Sequence, residues 1–239
     1  MSTQNDPIVI VGSARTPMGG FQGDLATLSA PELGAAAICA ALARAGVLAG
    51  DIDEVIMGCV LSAGQGQAPA RQAALGAVVP HAKPCTTINK MCGSGLKAVM
   101  FAHDQIVAGS AEVMVAGGME SMTNAPYLLP KARGGYRMGH GQVIDHMFFD
   151  GLEDAYDRGK LMGVFAELCA KHYKFTREEQ DAFAIESLKR AQKADFSREI
   201  IPVTVKDKKE SREILIDEQP GKAKLDKIRT LKPAFAPDG

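Results

Sequence analysis

Along the first 118 residues, short runs rich in strand-forming residues alternate with longer stretches whose apolar positions recur at helical spacing. Ile8-Val-Ile-Val-Gly12 has the pattern of a strand covered on both faces. Ser29 followed by Glu32 forms a capping box and predicts a helix that runs through Ala35, Ile38 and Leu42 and stops at Gly46. Further along, the pattern predicts a strand over Asp53 to Val60, a short helix over Ala68 to Leu75 and a strand over Thr86 to Asn89. A third helix spans Gly93 to Gly109, with Leu96, Val99, Met100 and Ile106 at helical intervals, and a fourth strand spans Glu112 to Ala116. Strands and helices alternating at this interval predict an α/β sheet layered by helices.

From Met119 the texture changes, which places a domain boundary there and divides the chain into 1–118 and 119–239. Tyr127 to His146 is loop-like, with paired glycines and scattered Lys and Arg. Two helices are predicted next, Lys160 to Tyr173 and Thr176 to Ala194, the second opened by a capping box of Thr176 and Glu179. Ile200 to Val205 reads as a strand, and the charged stretch from Lys206 to Lys232 as a solvated excursion. Leu231-Lys-Pro-Ala-Phe235 is apolar enough to pack, yet the chain stops four residues later, which reads as an incomplete product.

Composition narrows the partners. The 239 residues are 46% hydrophobic, enough for a sizeable core, and 27 basic against 28 acidic residues leave a net charge of -1. That balance gives no global attraction to nucleic acid or to an anionic membrane surface, so an anionic substrate must meet a local basic patch. No apolar run is long enough for a membrane span, and the polar start, Met1 to Pro7, lacks the features of a secretory signal. The five cysteines (Cys39, Cys59, Cys85, Cys92 and Cys169) show no CxxC spacing. They read as free thiols of a cytoplasmic protein, with no metal site expected.

The strongest chemical feature is Ile88-Asn-Lys-Met-Cys92-Gly-Ser-Gly-Leu-Lys97. A cysteine where a strand gives way to a helix meets unpaired N–H groups and the positive end of the helix dipole, which favour a thiolate. Gly93, Ser94 and Gly95 would keep bulk away from the sulfur, and the same N–H groups could hold an oxyanion during acyl transfer. The competing reading is a buried structural cysteine. None of the five histidines stands out as its base. His103 lies eleven residues further along the same helix, roughly 16 Å away, and His81, His140, His146 and His172 read as solvated surface residues.

Asn89-Lys-Met-Cys92-Gly-Ser-Gly-Leu-Lys97 resembles the acyl-cysteine signature of thiolases, and four further segments agree in order. They are Arg15-Thr-Pro-Met-Gly-Gly-Phe-Gln-Gly23, Gly117-Gly-Met-Glu-Ser-Met-Thr-Asn-Ala-Pro126, Met162-Gly163 with Arg177-Glu-Glu-Gln-Asp-Ala-Phe183, and Leu231 to Phe235. The resemblance implies a layered αβαβα fold built from two similar halves. This chain would supply the N-terminal half (1–118) and a loop domain covering coenzyme A (119–239), with the C-terminal half absent.

The resemblance also implies acetyl-CoA C-acetyltransferase chemistry. Cys92 would take an acetyl group from one thioester, and the α-carbon of a second acetyl-CoA would attack it to give acetoacetyl-CoA, or the reverse. Coenzyme A thioesters are then substrates, with no cofactor, and the assembly is a homodimer or homotetramer. In the family a Gly-His-Pro segment, a Cys-x-Gly-Gly-Gly segment and an Asn-Glu-Ala-Phe segment complete catalysis. None of the three occurs here, so the chain alone is expected to be inactive. The resemblance places Met162, Phe235 and, more weakly, Leu152 along the acyl and pantetheine pocket. It places Lys131, Arg133 and Arg137, and Lys222, Lys224 and Lys227, in loops facing the phosphates and adenine. Many thiolases carry a histidine where this chain has Leu161, so that contact does not carry over. A longer-chain 3-ketoacyl-CoA thiolase and a non-catalytic coenzyme A-binding half-thiolase are the alternatives.

Overall fold

The computed structural model describes residues 7–206 and 210–239. Met1 to Asp6 of the polar start and residues 207–209 of the charged excursion lie outside the described residues. Contacts divide the chain into two units, Met1–Pro126 with Ser197–Ile216, and Tyr127–Phe196 with Asp217–Gly239.

The first unit is built on a parallel three-stranded sheet. Its central strand β1 (Glu54–Gly58) pairs with β2 (Cys85–Ile88) on one side and β3 (Met114–Gly118) on the other. Side chains alternate between the two faces of a strand, and each face of β1 has its own cover. Val55 and Met57 point into a core with Ile38 and Leu42 of α1 (Ala30–Ala45) and with Ala70, Ala73 and Ala74 of α2 (Pro69–Gly76). Gly58, on the other parity, meets the start of α3 (Ser94–Val107), which packs along β1 and β3. Alanines on α2 let that helix sit close to α1. The result is an α/β arrangement with helices on both faces of a parallel sheet whose central strand is buried.

Local chemistry sets the helix ends. The Ser29 hydroxyl accepts the Glu32 N–H while the Glu32 carboxylate accepts the Ser29 N–H, and Gly46 closes α1 at φ 65°. Asp53, at the entry to β1, accepts the N–H groups of Glu112 and Val113 ahead of β3, and those two bonds hold its carboxyl below the usual range.

Ile8 to Gly12 departs from expectation. It forms no strand, and Ile10 is 79% exposed. The segment runs along α1, where a Cβ on Gly12 would lie 2.6 Å from the Ala41 carbonyl oxygen. Between this segment and β3 lies an apolar cavity of about 340 Å³, lined by Ile10, Ala45, Val99, Ile106 and Val115. An apolar run becomes a strand only when a neighbour supplies its hydrogen bonds, and the described residues place none beside it.

The hairpin β6 (Val203–Lys206) and β7 (Ser211–Ile214) also belongs to the first unit. Val203, Val205 and Ile214 form a small core with Leu25. Arg44 donates to the carbonyls of Ser13, Glu199 and Ile200, and Arg15 forms an ion pair with Glu199 at 2.7 Å, which ties the hairpin's approach to the start of the chain.

In the second unit, β4 (Tyr127–Leu128) pairs antiparallel with β5 (Ile144–Asp145) and closes the Gly-rich loop between them. A turn of π-helix (Phe148–Leu152) follows, then α4 (Met162–Tyr173), α5 (Arg177–Lys193) and the short α6 (Glu218–Lys222). The Thr176–Glu179 capping box opens α5 as expected. The excursion read as solvated carries β7, α6 and a 3-10 turn, Leu225–Thr230. His146 is a correction as well. It is only 6% exposed, and its Nδ1 lies 2.6 Å from Asp150 Oδ2, one helical turn away.

Candidate active site

Cys92 lies in the first unit, immediately before Gly93, the N-cap of α3, and is solvent-exposed. This excludes the buried structural reading. The loop that carries it is bound to itself. Asn89 Oδ1 accepts the Met91 N–H at 2.9 Å, an Asx turn that reverses the chain as it leaves β2. Met91 takes φ 49°, in the left-handed region that non-glycine residues seldom occupy. The Ser94 hydroxyl donates to the Met91 carbonyl at 2.6 Å and accepts the Lys90 N–H at 2.8 Å. Ser94 is therefore buried, 4% exposed, and its polar atom is spent on backbone.

Glycines let α3 come this close to the sheet. A Cβ on Gly58 would lie 2.5 Å from Ser94 Cβ, and one on Gly118 would lie 3.1 Å from Gly95 Cα. The ends of β1 and β3 thus support the first turn of α3, whose leading N–H groups have no intrahelical acceptors. Glu120, two residues past β3, accepts the N–H groups of Val60 and Leu61, both at 2.9 Å, and joins the two strand exits.

The other thiols differ. Cys59 is 2% exposed; burial, then the neighbouring Glu120 carboxylate, push its thiol up to about 12. Burial also raises Cys85, while Cys39 and Cys169 are exposed on helices. Among the five, Cys92 alone combines exposure with a position at the start of a helix.

The remaining predicted residues lie in the second unit. An antiparallel bridge between Glu153 and Leu161 sets Leu152 and Met162 at neighbouring positions. Phe235 lies over the first turn of α4, where a Cβ on Gly163 would be 2.2 Å from its ring. The structure therefore sets Leu152 beside Met162, and Phe235 beside the next residue, Gly163. Arg177 fixes the approach to Phe235 by donating to the Leu231 carbonyl at 2.6 Å while pairing with Asp181. Between Leu152 and Met162, Asp154 accepts the N–H groups of Asp157 and Tyr156, which hold its carboxyl below the usual range. Arg133 and Lys227 sit on exposed 3-10 turns of their own, Ala132–Gly134 and Leu225–Thr230. Lys131, Arg137 and Lys224 are exposed too, and Lys222 pairs with the buried carboxylate of Glu218. Among the described residues no group of three or more His, Cys, Asp or Glu is arranged to hold a metal ion, and no helix is long and apolar enough to cross a membrane.

A family profile described as the thiolase N-terminal domain matches residues 8–239. The chain belongs to the thiolase family. Among curated thiolase relatives, acetyl-CoA acetyltransferase 1 of Arabidopsis thaliana is 49% identical over 245 aligned positions, covering 100% of this chain and 59% of that protein. The acetyl-CoA acetyltransferase of Cupriavidus necator is 51% identical, covering 95% of this chain and 59% of its own length. That of Saccharomyces cerevisiae is 47% identical, with the same two coverages, 95% and 59%. This thiolase chain thus spans about 59% of the relatives it matches.

Two features of the thiolase chain escaped the sequence reading. The pair of buried His146 and exposed Asp150 carried the i, i+4 spacing of facing helical residues, a usable but unspecific signal. The Ser94 clamp had no signal of its own, because nothing in the sequence states that Met91 bends to positive φ.

Proposed function

We propose that the protein carrying this chain transfers acetyl groups between coenzyme A thioesters, with Cys92 as the acyl carrier. The observation that supports this is an exposed cysteine directly ahead of α3, in a loop held by Asn89 and Ser94, in a chain about half identical to acetyl-CoA acetyltransferases. Cys92 sulfur attacks the carbonyl carbon of acetyl-CoA, the bond to the coenzyme A sulfur breaks, and coenzyme A leaves as the thiol. A second acetyl-CoA loses a proton from its α-carbon and attacks the acetyl-cysteine carbonyl. The new carbon–carbon bond yields acetoacetyl-CoA and returns Cys92 as a thiol. N–H groups at the start of α3 would stabilise the oxyanion of each tetrahedral intermediate.

In this reading Leu152, Met162 and Phe235 form the apolar wall for the acyl group and pantetheine, and Arg133 and Lys227 attract the phosphates. Residues 1–118 act as the catalytic core domain and 119–239 as the domain that covers coenzyme A. The whole protein works as a homodimer or homotetramer.

The test is assay of the full-length gene product with acetoacetyl-CoA and with a long-chain 3-ketoacyl-CoA, beside peptide-mapped mass spectrometry after exposure to acetyl-CoA. Turnover confined to acetoacetyl-CoA with an acetyl adduct on Cys92 is the expected outcome. Equal turnover of both substrates assigns the longer-chain activity. Coenzyme A binding without label at Cys92 assigns a non-catalytic module.

A further inference from the structure

We infer that Ser94 is the positioning residue for Cys92, holding the nucleophile loop in a conformation it would not keep unaided. The inference rests on the reading of Cys92 as acyl carrier and adds to it what sets the sulfur's place. Met91 at φ 49° is the residue directly before Cys92, so any relaxation there swings the cysteine. An L side chain in that region is strained and persists only when its surroundings overdetermine it. The Ser94 hydroxyl supplies that constraint on both sides of the bend. It donates to the carbonyl of Met91 and accepts the N–H of Lys90, the two groups whose relative orientation changes if Met91 returns to negative φ.

The clamp itself cannot drift. Ser94 is 4% exposed and begins α3, and its Cβ faces the bare Cα of Gly58 at the end of the buried central strand. Backbone of the sheet, the first turn of the helix and the bend before Cys92 are thereby joined at Ser94, whose N–H also donates to the Met91 carbonyl at 2.9 Å and whose hydroxyl adds the bond to Lys90. Asn89 adds a bond to the Met91 N–H, but Asn89 belongs to the same exposed loop and moves with it. The Gly93 N–H also donates to the Lys90 carbonyl at 3.2 Å, but among the described residues the Ser94 hydroxyl is the side-chain group that bonds both Lys90 and Met91.

The experiment uses iodoacetamide, which needs no base from the protein, with peptide-mapped mass spectrometry of all five cysteines. Exposed Cys39 and Cys169 serve as rate references, and buried Cys59 reports unfolding. Ser94→Ala is expected to change the Cys92 rate by about fivefold or more, the factor carried by one net hydrogen bond, while Cys39 and Cys169 keep their rates. Adding Met91→Gly removes the cost of positive φ and should return Cys92 to within about twofold of the original rate. If Ser94→Ala alone exposes Cys59, the double variant decides: recovery of Cys59 protection and of the Cys92 rate supports the clamp. An unchanged Cys92 rate in Ser94→Ala, or no recovery in the double variant, overturns it. Acetylation of Cys92 by acetyl-CoA is scored separately, so loss of the acyl-carrier reading and loss of the clamp are told apart.

Discussion

Gly58 and Ser94 meet with no room between them: a Cβ on Gly58 would lie 2.5 Å from Ser94 Cβ and 2.7 Å from Ser94 carbonyl carbon. Neither neighbour can swing aside, since one is the first residue of α3 and the other the end of the central strand. Gly58→Ala should therefore destabilise the first unit by about 1–3 kcal/mol, the usual cost of overpacking a close contact. Gly117→Ala is the control. Its Cβ would meet the Met57 thioether sulfur at 3.3 Å, the flexible part of a side chain that can shift. Urea unfolding of both variants checks the contrast, and equal midpoints would refute it.

What could be read in advance divides along the range of the forces involved. Capping at Ser29 with Glu32 and at Thr176 with Glu179 is chemistry within four residues, and both boxes form as the sequence implied. The three strands of the parallel sheet were legible because each is a short run rich in apolar or β-branched residues set between helical stretches. Ile8 to Val11 looked the same, but a strand is a property of two segments, and no described segment pairs with it. Cys92 was visible in its motif, whereas the Ser94 bonds that fix it depend on a backbone bend that no residue type announces.

Cys59 ties stability to alkaline pH. Its thiol is pushed from the ordinary 9.0 up to about 12 by burial and by the Glu120 carboxylate, so the unfolded chain loses this proton first. The stabilisation is complete below pH 9 and declines as the pH rises from 9 toward 12, by at most about 1.4 kcal/mol per pH unit for one proton. Cys85, raised in the same direction, adds to the decline. Denaturant midpoints at pH 8 and pH 10 should differ less in Cys59→Ala than in the parent chain. Parallel shifts in the two proteins would show that Cys59 is not the source.

Gly163 should govern ligand recognition more than stability. An alanine there would push its methyl into the Phe235 ring, 2.2 Å from the Cβ position, yet that ring is 48% exposed and can rotate outward. The cost to folding is then below about 1.5 kcal/mol, while the apolar wall proposed with Met162 and Leu152 loses its third member. Gly163→Ala is expected to raise the dissociation constant for acetyl-CoA by about tenfold, as misplacing one recognition ring does, with little change in the unfolding midpoint. Titration calorimetry beside a thermal melt checks both halves. Unchanged affinity would remove Phe235 from the site.

The open flank of the sheet carries the last prediction. Val9, Ile10 and Val11 are all exposed beside the apolar cavity along β3, and Leu96, Met100 and Val107 are exposed on α3. Exposed apolar surface of this kind drives association in water, and a segment with no strand partner among the described residues offers N–H and C=O groups that another chain can meet. This 239-residue chain is expected to sediment as species larger than a monomer, in proportions that rise with concentration. Ile10→Ser, at the most exposed of the three positions, should shift the distribution toward monomer, because it removes apolar area without touching the core around β1. A parent chain that stays monomeric across a hundredfold concentration range would show that this flank is not adhesive. Association that Ile10→Ser leaves unchanged would instead move the contact to the exposed face of α3, where Leu96→Ser is the corresponding probe.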